Sequence, residues 1–288
     1  MEKKEYKIII NKLIKTIEKN GIPERLKKWN KPKLRYDFEN NQEFYDNIMK
    51  LSQSYHNHSF TDIYTKNKTD ENNKKDMKHP TIKMLKNNIL YIKFYHYFQN
   101  IIGWEKALEE WVKEVKLKID KQLEKEPKGL IIDLTEHYGG NMWPAINSMY
   151  NIYGDNSLLR FTSEKKWTNI IKEKIKKGAF KNKELKFKEP IGIIVSDKTR
   201  SSGELIAATF KGRENTFLFG DKTSKSGGFM SINTQFPLVK DWSISLMLTT
   251  SLIETVDGKI HSFEYLKVKS SKEPIKEATE KILKINSS

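Results

Sequence analysis

Two adjacent serines stand in DKTRSSGELIA, Asp197 to Ala207, between the apolar run IGIIVS and the apolar start of a helix. A hydroxyl at the first turn of a helix is well placed to act as a nucleophile. The free N–H groups and positive end of the helix favour the negative charge that develops on attack, while the strand before it fixes the oxygen. Ser201 and Ser202 both occupy such a place. The same residues also fit a plain helix start, because Glu204 lies three positions after Ser201 and completes a capping box. A serine nucleophile needs a base, and the candidates are His56 and His58 in SYHNHSF, His137 in TEHYGGN, and the lysines near Ser226. Spacing alone does not choose between them.

A second component follows the apolar stretch GLIIDL. Gly139 and Gly140 lack side chains, so their backbone N–H groups can approach a substrate carbonyl; a turn that needs positive φ would use the same residues. Asn141, Met142 and Trp143 come next, one polar group and two large apolar surfaces suited to a groove wall. Trp143 before Pro144 equally suits core packing at a helix start.

These residues need a scaffold, and the pattern around them is α/β. Residues 1 to about 55 carry apolar positions at helical spacing, interrupted at NGIPE and NKPKL, which predicts a small helical unit. Residues 64 to 81 are polar and read as an exposed loop or flap that could control access. Beyond them the chain alternates: strand 89–97, helix 104–124, strand 129–134, helix 143–154, a lysine-rich helix about 165–177, strand 191–196, helix 202–211 and strand 217–220. A β-rich tail with NTQFPLV and WSISLMLTT precedes a closing helix from Pro274 to Ile285.

Composition narrows the chemistry. The 288 residues contain no cysteine, which excludes disulfides, thiol catalysis and cysteine metal sites. FGDKTSKSGG follows neither a P-loop nor a dinucleotide fingerprint, and no cofactor or metal is expected. The formal charge of +16 is spread among glutamates along most of the chain and reads as a solvated surface. The N-terminal stretch lacks both a signal-peptide core and a membrane span, so a chain beginning at its natural start is expected in the cytoplasm. Removal of a targeting segment would allow a place on the outer membrane face.

Taken in order, GLIIDLTEHYGGNMW, IGIIVS, TRSSGE and LFGDKTSKSGG resemble the S41 serine peptidases, the C-terminal processing or tail-specific proteases. GGNMW and SSGE are most similar to the nisin resistance branch of that family. The resemblance implies a ClpP/crotonase-like α/β core over residues 56–288, with a cap or flap at about 64–81 and a helical unit over residues 1–55. It implies Ser201 as nucleophile and an oxyanion hole from Gly139, Gly140 and the N–H of Ser202. It places the base at His58, in the setting His58-Ser59-Phe60, and a substrate groove at Asn141, Met142, Trp143 and Glu204. His56 and Lys225 are alternative bases. The tail-specific branch carries its lysine where Ser226 stands here, and TSKSGG has Lys225 where the family commonly has glycine. Asp133 and Glu204 are the candidates for a third catalytic member.

The resemblance implies a serine peptidase that hydrolyses small unstructured or ring-containing peptides, internally or from the carboxy terminus, through a Ser-His dyad and an acyl-enzyme. A peptide-binding or immunity protein on a degenerate peptidase scaffold is the alternative. Nucleic-acid binding would rest on KKWTNIIKEKIKKGAFKNKELKFK, whose interspersed lysines are more simply a solvated helix, and no nucleic-acid partner is expected.

Overall fold

The computed structural model describes residues 1, 3–63, 78–97, 105–153, 160–163, 166–169, 186–221, 231–255, 257–261 and 268–287. In chain order the helices are α1 (Lys3–Asn20), α2 (Pro23–Lys28), α3 (Asn41–Tyr55), α4 (Glu105–Leu123), α5 (Trp143–Ser148), α6 (Tyr150–Tyr153), α7 (Ser202–Phe210) and α8 (Pro274–Asn286). The strands are β1 (Phe60–Ile63), β2 (Thr81–Leu85), β3 (Ile89–Tyr97), β4 (Gly129–Gly140), β5 (Arg160–Ser163) and β6 (Lys166–Asn169). They continue with β7 (Ile191–Val195), β8 (Thr216–Gly220), β9 (Ser231–Pro237), β10 (Ile244–Glu254), β11 (Ile260–His261) and β12 (Lys269–Ser270). The chain divides into two compact units, one of residues 1–69, 162–167 and 231–252, the other of residues 70–161, 168–230 and 253–288.

In the first unit, α1 buries Tyr6, Ile9, Ile10, Leu13, Ile14 and Ile17, a stripe at the spacing an amphipathic helix requires. Asn40 starts α3 by accepting the N–H of Glu43 at 3.0 Å, and α3 turns Phe44, Ile48, Leu51 and Tyr55 inward. These side chains share one core with Leu238, Ile244, Leu246 and Leu248. Each such side chain removed from water contributes about 1.5–3 kcal/mol. The Tyr55 hydroxyl accepts the N–H of Ile22 at 2.6 Å, tying the α1–α2 junction to the end of α3. β10 pairs antiparallel with β1 and with β9. The first unit therefore extends beyond the helical segment over residues 1–55: strands far along the sequence complete its core.

The second unit is built on a six-stranded sheet in the order β12-β8-β7-β4-β3-β2, parallel except for the β2–β3 hairpin. The run IGIIV is buried at every position, as a central strand covered on both faces must be. On one face Ile89, Tyr91, Ile131, Ile194 and Phe219 pack with Ala278 and Ile282 of α8. α7 packs against β4. Parallel strands in this order bring the chain out of β4 and out of β7 on the same edge, where the site residues gather.

Several expectations change. Residues 135–140 continue β4 although TEHYGG is polar, because Tyr95 and Tyr97 of β3 still offer ladder partners to Glu136 and Gly140. The helix expected over 143–154 breaks at Met149 into α5 and α6. Residues 166–169 form a strand and not the start of a lysine-rich helix; 170–177 lie outside the described residues, as do 64–77 of the proposed flap. No helix among the described residues is long and apolar enough to cross a membrane.

Candidate active site

The chain leaves β7 at Val195 and enters α7 at Ser202, and the residues between are bonded to the end of β4. Ser196 Oγ donates to the carbonyl of Thr135 at 2.8 Å, and Thr199 Oγ1 donates to the carbonyl of Leu134 at 2.8 Å. The Arg200 N–H reaches the His137 carbonyl at 3.3 Å, and its Nε reaches the Tyr138 carbonyl at 3.0 Å. These bonds force a sharp corner, and Ser201 takes it at φ 52° and ψ −120°. That backbone lies outside the left-handed helical region and is costly for any residue with a Cβ. The Ser201 N–H donates to Glu204 Oε2 at 3.0 Å, which holds the corner from the helix side. Ser201 stays partly exposed while Ser202 and Glu204 are buried. The result is a hydroxyl on a strained strand-to-helix turn at the positive end of a nine-residue helix.

The diglycine passes directly beside it. Gly139 has φ 118° and Gly140 has φ 97°. A Cβ on Gly139 would stand 3.2 Å from Ser201 Cβ, a tight contact, and 3.7 Å from Ser201 Oγ, an ordinary one; it is the backbone at φ 118° that favours glycine here. Gly203 serves the same junction, since a Cβ there would meet the His137 carbonyl at 2.6 Å. Asn141 Oδ1 accepts the N–H of Trp143 at 3.0 Å and shapes the turn after the glycines. Asn141 and Trp143 are partly exposed, while Met142, expected in the groove, is buried. Glu204, expected in the groove, contributes no surface, and it accepts the Ser201 N–H as the acidic member of the capping box. Ser202 Oγ is buried without a hydrogen-bond partner among the described residues.

Of the candidate bases, His137 lies wholly buried in β4, and burial pushes its imidazole down to about 3. Packed where Gly203 approaches, it is a core histidine. His56 and His58 belong to the first unit, on the turn between α3 and β1. His56 is buried, its imidazole driven down to about 3 by burial and then by Arg25 and His58, and its Nδ1 accepts the His58 N–H at 3.1 Å. His58 is half-buried, with its imidazole lowered to about 4 by burial, so it is a neutral acceptor across the neutral pH range. Lys225 and Ser226 lie outside the described residues. Asp133 accepts three hydrogen bonds, from the Tyr91 hydroxyl at 2.5 Å and from the Thr135 N–H and hydroxyl at 2.9 and 2.6 Å. That set of bonds ties β3 to β4 and gives Asp133 a structural role. No cluster of metal-binding side chains occurs among the described residues.

The sequence reading missed Asn233 and Thr249, which bond the His56–Ser59 turn from β9 and β10. Neither lies in a motif; only the strand register, which pairs Thr249 with Asn233, brings them together.

Residues 88–264, which include the diglycine and the Ser201 corner, match the model of peptidase family S41. The chain belongs to that family. The nisin-resistance protein of Lactococcus lactis subsp. lactis is 29% identical over 141 residues, 46% of this chain and 42% of that protein. Carboxy-terminal processing protease CtpA of Bacillus subtilis (strain 168) is 30% identical over 155 residues, 52% of this chain and 30% of that protein. The aligned parts thus span less than half the length of either relative, and the two identities are too close to single out one branch. The fold is shared with a lipoprotein from Streptococcus agalactiae at a TM-score of 0.72 and 23% identity, covering 98% of this chain and 96% of that one.

Proposed function

We propose that this S41 family member is a serine peptidase in which Ser201 is the nucleophile and His58 the general base. The observation that carries the reading is the Ser201 corner at φ 52°, set at a helix N-terminus against the main chain of Gly139. A strained corner of this kind needs a reason to persist, and exposing a hydroxyl beside backbone donors is one. Neutral His58 takes the Ser201 proton as Oγ bonds to the peptide carbonyl carbon, and the C–N bond then breaks with that proton passing to the departing amine. Water hydrolyses the resulting ester, with His58 again accepting and returning a proton. The N–H groups of Gly139, Gly140 and Ser202 are the donors proposed for the tetrahedral oxygen. Asn141 and Trp143, on the exposed side of the diglycine turn, are proposed to contact the peptide.

The relatives' names suggest the substrate class: one is a nisin-resistance protein and the other a carboxy-terminal processing protease. Small unstructured or ring-containing peptides, cut internally or near the carboxy terminus, fit both. Incubation of wild type and Ser201→Ala with a pool of linear and ring-containing peptides, read by mass spectrometry, tests this. Products from wild type that vanish in the variant are expected. Binding of the same peptides by both proteins without any product would favour a peptide-binding protein on a peptidase scaffold.

A further inference from the structure

His58 sits on a four-residue turn, His56 to Ser59, and not on a helix or strand. A base on a loop is only as well aimed as the groups that hold the loop. Both backbone polar groups of His58 are held by side chains. Its N–H donates to His56 Nδ1 at 3.1 Å, and its carbonyl accepts from Asn233 Nδ2 at 2.7 Å. The two holders meet at one hydroxyl: Thr249 Oγ1 donates to Asn233 Oδ1 at 2.8 Å and lies 3.2 Å from His56 Nδ1. Ser59 closes the ring, its hydroxyl donating to Thr249 Oγ1 at 3.2 Å and accepting the Thr249 N–H at 3.0 Å. His56, Ser59 and Thr249 are all buried, so the Ser59–Thr249 bonds are shielded from competing water, while those that reach His58 and Asn233 are part-buried.

We propose that Asn233 and Thr249 are positioning residues for His58, aiming the base through its backbone from β9 and β10; the inference rests on the Ser201-His58 reading. Sheet stability alone does not call for this arrangement. A buried strand position is filled at less cost by an apolar side chain, whereas here four polar residues are spent on one turn and grip the base's own amide and carbonyl. The arrangement also separates the two adjacent histidines. His56 Nδ1 is committed to the turn, where it accepts the His58 N–H.

The test uses a fluorophosphonate probe, which reports the nucleophile and its base without a known substrate. Ser201 Oγ attacks phosphorus, the O–P bond forms, the P–F bond breaks with loss of fluoride, and the serine proton passes to His58. Thr249→Val keeps shape and loses the hydroxyl, Thr249→Ser restores it, and Asn233→Asp replaces the donor to the His58 carbonyl with a charged acceptor. The first and third are expected to slow labelling at saturating probe by about tenfold or more with little change in half-saturation, while Thr249→Ser stays near wild type. In a His58→Ala background Thr249→Val should cost nothing further, since there is no longer a base to aim. Equal slowing in both backgrounds, or wild-type labelling by Thr249→Val and Asn233→Asp, overturns the inference. If Thr249→Val fails to fold, Asn233→Asp alone and in the His58→Ala background gives the same readings. Wild-type labelling by His58→Ala, or no labelling of wild type, overturns the Ser201-His58 reading and this inference with it. Slow labelling by His58→Ala beside normal labelling by the other two overturns the inference alone.

Discussion

The Glu204 carboxylate accepts the backbone N–H of Ser201 at 3.0 Å, within a helix start where Ser201 holds φ 52° and ψ −120°. A fully buried acid therefore braces the residue that pays the strain. Glu204→Gln keeps the length and one acceptor oxygen, and should retain the corner. Glu204→Ala leaves a buried donor unpaired, costing about 1–3 kcal/mol, and frees Ser201 to relax. Labelling of Ser201 should fall by about tenfold or more in the alanine variant and much less in the glutamine variant. Denaturant unfolding with labelling rates on the same samples checks both; equal loss in the two would assign the charge, and not the brace, as the feature that matters.

Gly139 offers a second route to the same corner. Alanine there must adopt φ 118° and must place its Cβ 3.2 Å from Ser201 Cβ. The backbone cost is on the order of 1–3 kcal/mol, and the new methyl occupies the space beside the hydroxyl. Gly139→Ala should fold with reduced stability and lose most labelling. A stable variant labelled at the wild-type rate would mean that the main chain at Gly139 does not border the reactive oxygen.

How the three buried or half-buried histidines titrate fixes a pH window. The imidazoles of His56 and His137 are lowered to about 3 and that of His58 to about 4, chiefly by burial. Depressed folded-state values mean that the unfolded chain binds protons first as pH falls. The stability these groups contribute is complete above the ordinary value near 6.5 and is lost progressively below it, down toward 3. At about pH 5 the loss is of order 2 kcal/mol for each of His56 and His137. With His58 as the proposed base, activity behaves differently, because an imidazole lowered to about 4 stays neutral while the fold weakens. Labelling of the still-folded protein should hold from pH 7 to about pH 5 as the melting temperature drops. An acid limb near 6.5 in the labelling rate would show that His58 titrates as an exposed imidazole.

Sequence reading recovered most elements of the parallel sheet because a central strand is a short apolar run and its partner helices carry clean periodicity. GLIIDL, IGIIVS and the closing helix were legible on those grounds. The continuation of β4 through TEHYGG was not, because its strand character comes from pairing with Tyr95 and Tyr97, which no local preference encodes. SSGE was legible as either cap or nucleophile, and the capping box does form; the positive φ at Ser201 is a property of the loop bonds to β4 and invisible in residue type. Met142 and Glu204 read as groove residues by resemblance, yet both are buried, since polarity and size do not reveal which way a turn faces. Asn233 and Thr249 sit far from His58 in sequence and are joined to its turn only by sheet register.

Strain at Ser201 predicts an inversion that ordinary positions do not show. In regular helix or strand, glycine is less stable than alanine by roughly 0.5–1 kcal/mol, because its unfolded chain is freer. At Ser201 the backbone already occupies φ 52° and ψ −120°, where a Cβ is penalised and glycine is not. Ser201→Ala keeps the Cβ and the penalty; Ser201→Gly removes both. Neither variant can be labelled, so catalysis does not enter the comparison. Ser201→Gly should therefore be more stable than Ser201→Ala by about 1 kcal/mol, the penalty of about 1–3 kcal/mol outweighing the entropic cost of glycine. Urea midpoints of the two variants decide it. The opposite order would mean that the corner relaxes once the hydroxyl is gone, and that the serine side chain itself holds the unusual backbone in place.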